Sequence, residues 1–335
     1  MYKMRLSVAP MMDWTDRHER YFLRQFSRHL WLYTEMIAAA AVVHGDRDRL
    51  LEMNPAEHPV SLQLGGCEPE LLATATKIGA EYGYDEINLN LGCPSDRVQA
   101  GRFGACLMKE PELVRDCIGA MCGSTDLPIT AKIRLGVDEC DSDLELHAFV
   151  GMLEEAGVER VVVHARKAWL QGLSPKQNRE VPPLQYDRVY SLKRAFPQLA
   201  IELNGGLANL DAAATALVQV DGCMLGRAAY HHPGILLHTD SRLFGESNPA
   251  TSEHQIVERL VPYVETELAR GTPLHAMTRH WLGLFQGQPG ARAFRRHLST
   301  EGPKRKFDLQ VLLEAVSCLQ HCPMDVQRAG AGSPG

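Results

Sequence analysis

The sequence has no apolar run long enough to cross a membrane. The longest extends only from Met36 to Val43, whereas a spanning helix needs about 20 residues. Its first stretch, Met1 to Met12, is short and broken by Pro10, so no export signal is expected and the protein is expected in the cytoplasm. No G-x-G-x-x-G and no P-loop occur, which leaves a Rossmann or NTPase reading without support. The nine cysteines (67, 93, 106, 117, 122, 140, 223, 318 and 322) are odd in number and irregularly spaced. They form no disulfide framework, and a reduced protein is expected. Cys318, His321 and Cys322 lack a second ligand pair at zinc spacing, so no metal is expected. Positive charge is not in excess: 35 Lys and Arg face 41 Asp and Glu, a net charge of −6. Any attraction for phosphate must therefore be local.

What is present suits a globular chain of more than one domain, with 335 residues that are 45% hydrophobic and 23% charged. Between residue 5 and about 230, eight short aliphatic runs alternate with helical patterns: Leu6–Val8, Trp31–Thr34, Val60–Leu64, Glu86–Leu89, Ile129–Ile133, Arg160–Val163, Ala200–Leu203 and Gly222–Leu225. Alternation of this kind predicts βα units around a parallel sheet, and eight units predict an α/β fold of the (β/α)8 TIM-barrel type over residues 1–245. Glu68–Pro69–Glu70 and the capping-box pattern Ser142–Asp143–Leu144–Glu145 mark helix starts. Residues 165–185 form a long βα loop, which in a barrel belongs to the functional face. After Gly245 only helical patterns remain (Ser252–Leu268, Leu274–Leu284, Arg292–Leu298, Leu309–Leu319), predicting an all-helical domain over 246–322. Residues 323–335 are expected to be a disordered tail.

In a β/α barrel the site is assembled from residues past the carboxyl ends of several strands. Those residues are Pro10, Met11 and Met12 after strand one, Glu35 at the end of strand two and Gln63 in strand three. Asn88, Asn90 and Cys93 follow at strand four, Lys132 in strand five and His164 ending strand six. Asn204, Gly205 and Gly206 come after strand seven, and Gly226 and Arg227 after strand eight. Bare glycine N–H groups beside an arginine suit a phosphate; Lys132 and His164 suit an electron-rich ring, and Gln63 and Asn204 its amide-like edge. The set suits FMN. Taken singly, each has a plainer reading: a glycine pair is most often a turn, and a strand lysine is often on the surface. Their coincidence at successive strand ends favours a ligand site.

Cys106, Cys117, Cys122 and Cys223 read as small apolar filler. Cys93 does not, because it sits between Gly92 and Pro94 after a strand and beside amide side chains that have no reason to enter a dry core. An ordinary thiol is mostly protonated at pH 7 and can act as a general acid. The acidic run Asp138, Glu139, Asp141, Asp143 and Glu145 reads as a solvated helix start.

Between Arg292 and Lys306 six Lys or Arg (292, 295, 296, 304, 305, 306) meet one acid, Glu301, with Phe294 and Phe307 interleaved. A solvated helix face is the commoner source of such a run. A second cluster, Lys176 and Arg179 with Arg166 and Lys167 at the root of the same loop, makes a large polyanion the better partner.

The segment Asn88–Leu-Asn-Leu-Gly-Cys-Pro94, continuing to Val98, Gly101 and Gly104–Ala105, resembles the signature of the tRNA dihydrouridine synthases. Ala9–Pro-Met-Met-Asp13, Lys132, His164–Ala-Arg166, Asn204–Gly-Gly206 and Gly226–Arg227 fall in the family's order. His164–Ala-Arg-Lys-Ala168 and Gly172–Leu-Ser-Pro-Lys-Gln-Asn-Arg-Glu180 are most similar to the family's A branch, which acts on D-loop uridines 20 and 20a. The resemblance implies FMN held by Pro10, Met11, Met12, Gln63, Lys132, His164, Asn204, Gly205, Gly206, Gly226 and Arg227, with NADPH as reductant. It implies hydride transfer to uracil C6, proton donation to C5 by Cys93, and tRNA contacts from Asn90, Lys176, Arg179, Arg292 and Arg295. A base reduced in this way must leave the folded RNA. A monomer is expected. The nearest rival is an FMN barrel enzyme acting on a free pyrimidine, similar to dihydroorotate dehydrogenase, which would not need the helical domain. An RNA-binding barrel without catalysis is a second.

Overall fold

A computed structural model describes residues 4–95, 98–99 and 101–320. The predicted tail, together with His321 and Cys322, lies outside the described residues. The chain divides into two compact units, residues 1–251 and 252–335.

The first unit is built on eight parallel strands: β1 (Arg5–Val8), β2 (Leu32–Ala38), β3 (Val60–Gly65), β4 (Glu86–Leu91), β5 (Ile129–Arg134), β6 (Arg160–His164), β7 (Ala200–Asn204) and β8 (Gly222–Leu225). Each pairs with the next in sequence from β2 to β8, and β8 pairs with β1. β1 meets the residue before β2 through a parallel bridge between Ser7 and Trp31, in which the Val8 and Trp31 N–H groups donate to Trp31 and Leu6 carbonyls at 3.0 and 2.9 Å. The two edges of the sheet thus touch, which is the strand order of a β/α barrel. Tyr33, Val162 and Met224 pack together inside it.

The helices between the strands start where their sequences say. Pro69 occupies the first position of Pro69–Glu81, where its missing N–H costs nothing. Ser142 and Glu145 exchange the reciprocal bonds of a capping box at Asp143–Glu155. The acidic run before that helix is not simply solvated. Asp141 and Asp143 pair with Arg188 at 2.8 and 2.6 Å, and Lys167 reaches Asp141 at 3.3 Å. Of the cysteines read as filler, Cys117 and Cys223 are buried, whereas Cys106 and Cys122 are only half-buried.

β2 departs from its expected end. It runs on to Ala38, with a one-residue bulge between Tyr33 and Met36 relative to β3. A bulge reverses the in–out alternation beyond it. Met36 therefore faces the site, and Glu35 accepts the Asp13 backbone N–H instead.

Within the second unit the described residues form helices and no strand: Glu253–Ala269, Leu274–Thr278, the tighter turn Arg279–Gly283, Ala291–Glu301 and Gln310–Gln320. Among the described residues, no helix is long and apolar enough to cross a membrane.

Candidate active site

Parallel register turns residues thirty or more positions apart into rows. Asn90 stands level with Lys132, and one step further along, Arg134, His164 and Asn204 form the next row across β5, β6 and β7. These rows open into a cavity of about 650 Å³ at the carboxyl ends of the strands, a size that suits a cofactor or a drug-sized ligand. Pro10, Met11, Met12, Gln63, Lys132, His164, Asn204, Gly205, Gly206, Gly226 and Arg227 all line it, as do Asn90, Cys93 and Arg179. Lys176, Arg292, Arg295 and Glu35 do not.

The charge of this wall has one sign. Lys132, Arg134, Arg179 and Arg227 line the cavity with His164, and no Asp or Glu is among the described residues that do so. Burial, with Arg134 adding repulsion, pulls the Lys132 ammonium down to about 7. Burial, then Arg134 and Lys132, holds His164 well below the usual imidazole range, so it is neutral at physiological pH. Neither side chain has a hydrogen-bond partner in the protein among the described residues. Two basic groups enclosed with no acid call for an anionic or electron-rich ligand.

Cys93 is held by its backbone. Its N–H donates to Asn90 Oδ1 at 3.0 Å, its carbonyl accepts from Ala105 at 2.9 Å, and its Sγ lies 3.5 Å from Ser95 Oγ. Gly104 has φ +79°, and a Cβ there would meet the Cys93 carbonyl oxygen at 2.5 Å, so only glycine lets the two segments close. Gly205 has φ +109°, and a Cβ on it would lie 2.7 Å from the His164 ring. At Gly226 a Cβ would meet nothing within 4 Å, so that side of the backbone stays open.

Asn90 is more committed than a simple ligand contact. It is 8% exposed, its carbonyl takes the Gly92 and Cys93 N–H groups, and its amide donates to Gln63 Oε1 at 2.8 Å. Asn88 is fully buried and does not line the cavity. Arg134 escaped the sequence reading. Its Nε donates to the Gly92 carbonyl at 3.0 Å and its Nη1 to the Asn178 carbonyl at 2.9 Å, tying the Cys93 segment to the long loop after β6. Burial lowers its guanidinium to about 10.

The basic residues of the loop divide into two groups. Arg166 donates to the Glu180 and Pro182 carbonyls, and Lys167 pairs with Asp141 and lies over the Trp169 ring. Lys176 and Arg179 are exposed. Arg227 pairs with Glu180 at 2.6 Å. In the second unit Lys304 pairs with Glu301, and Arg305 with Asp308 and Glu314. Part of the expected positive field is thereby neutralised locally. Arg292, Arg295, Arg296 and Lys306 have no such partner among the described residues. No group of three or more His, Cys, Asp or Glu able to hold a metal is found among the described residues.

Fold and site together define a β/α protein with a cofactor-sized, positively lined cavity at the carboxyl ends of its strands and a thiol on the wall. The chain belongs to the dihydrouridine synthase (Dus) family, whose profile matches residues 7–320. It is 53% identical over 317 residues to the tRNA-dihydrouridine(20/20a) synthase of Vibrio vulnificus (strain CMCP6), covering 94% of this chain and 97% of that protein. It is 58% identical over 303 residues to the protein of the same name from Xanthomonas axonopodis pv. citri (strain 306), covering 90% of each. With its counterpart from Synechocystis sp. (strain ATCC 27184 / PCC 6803 / Kazusa) it shares 55% identity over 294 residues, 88% of each chain.

Proposed function

We propose that this protein is an FMN-dependent, NADPH-driven tRNA-dihydrouridine synthase that reduces uridines 20 and 20a of the tRNA D-loop to 5,6-dihydrouridine. The observation that carries the reading is the meeting of an unpartnered ammonium, a neutral imidazole and a thiol in one cavity with no acid among its described lining residues. The relatives named above supply the substrate, which the cavity alone does not specify.

The donor set fits FMN. Lys132 and His164 offer charge and a hydrogen bond to the flavin ring, and Gln63 and Asn204 meet its polar edge. The Pro10–Met12 turn would pack against it, while Gly205, Gly206, Gly226 and Arg227 would take the phosphate. Held by these residues and reduced by NADPH, FMN would supply the hydride that uracil receives at C6. Cys93 gives its Sγ proton to C5 as a general acid. Asn90 keeps one amide N–H uncommitted and offers it to the flipped uracil. Lys176 and Arg179 on the first unit and Arg292 and Arg295 on the second take RNA phosphates. In this reading residues 1–245 are the FMN-binding TIM-barrel domain and 246–322 a helical tRNA-binding domain, in a cytoplasmic monomer that uses no metal.

The test is an absorbance spectrum followed through two additions in one anaerobic cuvette. Flavin bands should bleach with NADPH and return with unmodified tRNA. A protein that bleaches but is reoxidised by a free pyrimidine and not by tRNA would support the dihydroorotate-dehydrogenase-like alternative. A colourless protein that cannot be reconstituted with FMN would overturn both.

A further inference from the structure

Beneath the cavity a single chain of hydrogen bonds runs from the barrel floor to the Cys93 segment. Glu86, fully buried, accepts from Tyr33 Oη at 3.0 Å, Ser61 Oγ at 2.7 Å and Thr130 Oγ1 at 2.9 Å, and from Arg5 at 2.7 Å. Above it Asn88 Nδ2 donates to Thr130 Oγ1 at 2.8 Å, Gln63 Nε2 to Asn88 Oδ1 at 2.7 Å, and Asn90 Nδ2 to Gln63 Oε1 at 2.8 Å. Asn90 Oδ1 then accepts the Gly92 and Cys93 N–H groups at 3.1 and 3.0 Å.

Every bond in this chain points the same way. A side-chain amide can be turned end for end, so its direction comes from its partners. At the lower end stands a carboxylate, which only accepts. At the upper end stand two backbone N–H groups, which only donate. Thr130 has one hydroxyl proton, and giving it to Glu86 leaves only lone pairs toward Asn88. Asn88 must then present its carbonyl to Gln63, Gln63 its carbonyl to Asn90, and Asn90 its carbonyl to Cys93. A single orientation of three successive amides satisfies both ends, and in it Gln63 and Asn90 each keep one N–H for the cavity they line.

We propose that Glu86 and Thr130, neither of which lines the cavity, are positioning residues. They anchor the lower end of the Asn88–Gln63–Asn90 ladder, whose upper end the Gly92 and Cys93 N–H groups pin, and through it they hold the Cys93 segment and the N–H groups shown to the ligand. Only the catalytic consequence rests on the function proposed above. Thr130→Val removes the hydroxyl at nearly constant shape and leaves the buried Asn88 N–H without its acceptor, loosening the ladder from below, whereas Thr130→Ser keeps the hydroxyl.

In the full-length, flavin-free protein, Cys93 should be alkylated by iodoacetamide about fivefold faster in Thr130→Val, the size expected for one lost hydrogen bond, and within about twofold of wild type in Thr130→Ser. With FMN bound, reoxidation by tRNA should slow about tenfold in Thr130→Val while reduction by NADPH changes less than about threefold. Alkylation unchanged in Thr130→Val, or changed equally in both variants, would overturn the assignment. Should Thr130→Val not fold, Asn88→Ala breaks the ladder one link higher and should accelerate Cys93 alkylation likewise. Failure of the wild type to reduce uridine would sink the proposed function and leave the alkylation contrast to decide the ladder.

Discussion

The floor and the mouth of the barrel handle charge in opposite ways. At the floor Arg5 meets Glu86 at 2.7 Å and Arg160 approaches Glu202 at 3.7 Å, with Ser7, Ser61, Tyr33 and Thr130 donating to the carboxylates. At the mouth Lys132, Arg134, Arg179, Arg227 and His164 stand around a cavity with no acid on its described wall. Charges that serve the fold are balanced inside the protein, and charges that serve a ligand are left for the ligand to balance.

The contrast can be broken at four places, and the mouth gives the largest effect. Cys93→Ala should purify yellow and bleach with NADPH, yet reduce uridine roughly 10²–10⁴-fold more slowly, as expected when a general acid is lost. Full activity in that variant would remove Cys93 from proton transfer. At the floor, Arg5→Met leaves Glu86 without its ion partner and should lower stability by about 3–5 kcal/mol in urea unfolding. A loss below about 1 kcal/mol would mean that the pair behaves like one on the surface.

Lys132 offers a pH test. An ordinary lysine titrates near 10.4, and this one is pulled down to about 7. Between those values the unfolded chain holds a proton that the folded chain has released. Stability of the flavin-free protein should therefore rise as pH climbs through that window, and the burial cost is fully present below it. Lys132→Met should abolish the rise, stabilise the flavin-free protein at pH 6 and weaken flavin retention. Parallel pH profiles for the two proteins would show that the cavity does not depress this lysine.

The smallest effect belongs to the exposed cations. Arg295→Ala or Lys176→Ala should weaken tRNA binding a few-fold and make the slope of log affinity against log salt shallower by about one. Lys304, already paired with Glu301 at 2.9 Å, should change it less. Equal slopes in all three variants would argue that neither Arg295 nor Lys176 meets a phosphate.

Much of this was legible in the chain because strand period and barrel chemistry are both local signals. The eight aliphatic runs coincide with the eight strands to within a few residues, and the residues at their carboxyl ends line one cavity. Arg134 was missed because the fifth run was ended at Ile133. With β5 extended by one residue, Arg134 lies two positions from Lys132 and on the same face. Glu35 misled for the converse reason, since a bulge in β2 cannot be seen in a hydrophobic pattern. Of the two amides read as foreign to a dry core, Asn90 lines the cavity, whereas Asn88 is fully buried below it. The amide ladder that accounts for them depends on Gln63 and Thr130, far away in sequence. Counting cations in the second unit likewise overlooked Asp308 and Glu314, which neutralise Arg305.

The loop after β6 carries a final consequence through Asn178. Fully buried, this residue accepts the Trp169 N–H at 2.8 Å and donates to the Trp169 and Leu173 carbonyls at 2.8 and 3.2 Å, while its own carbonyl accepts Arg134. One amide thus does for an irregular segment what ladder bonds do for a strand. A loop shaped before its partner arrives has already paid its ordering entropy at folding, so in the proposed role Lys176 and Arg179 would meet RNA from a rigid mount and more of each contact would survive as affinity.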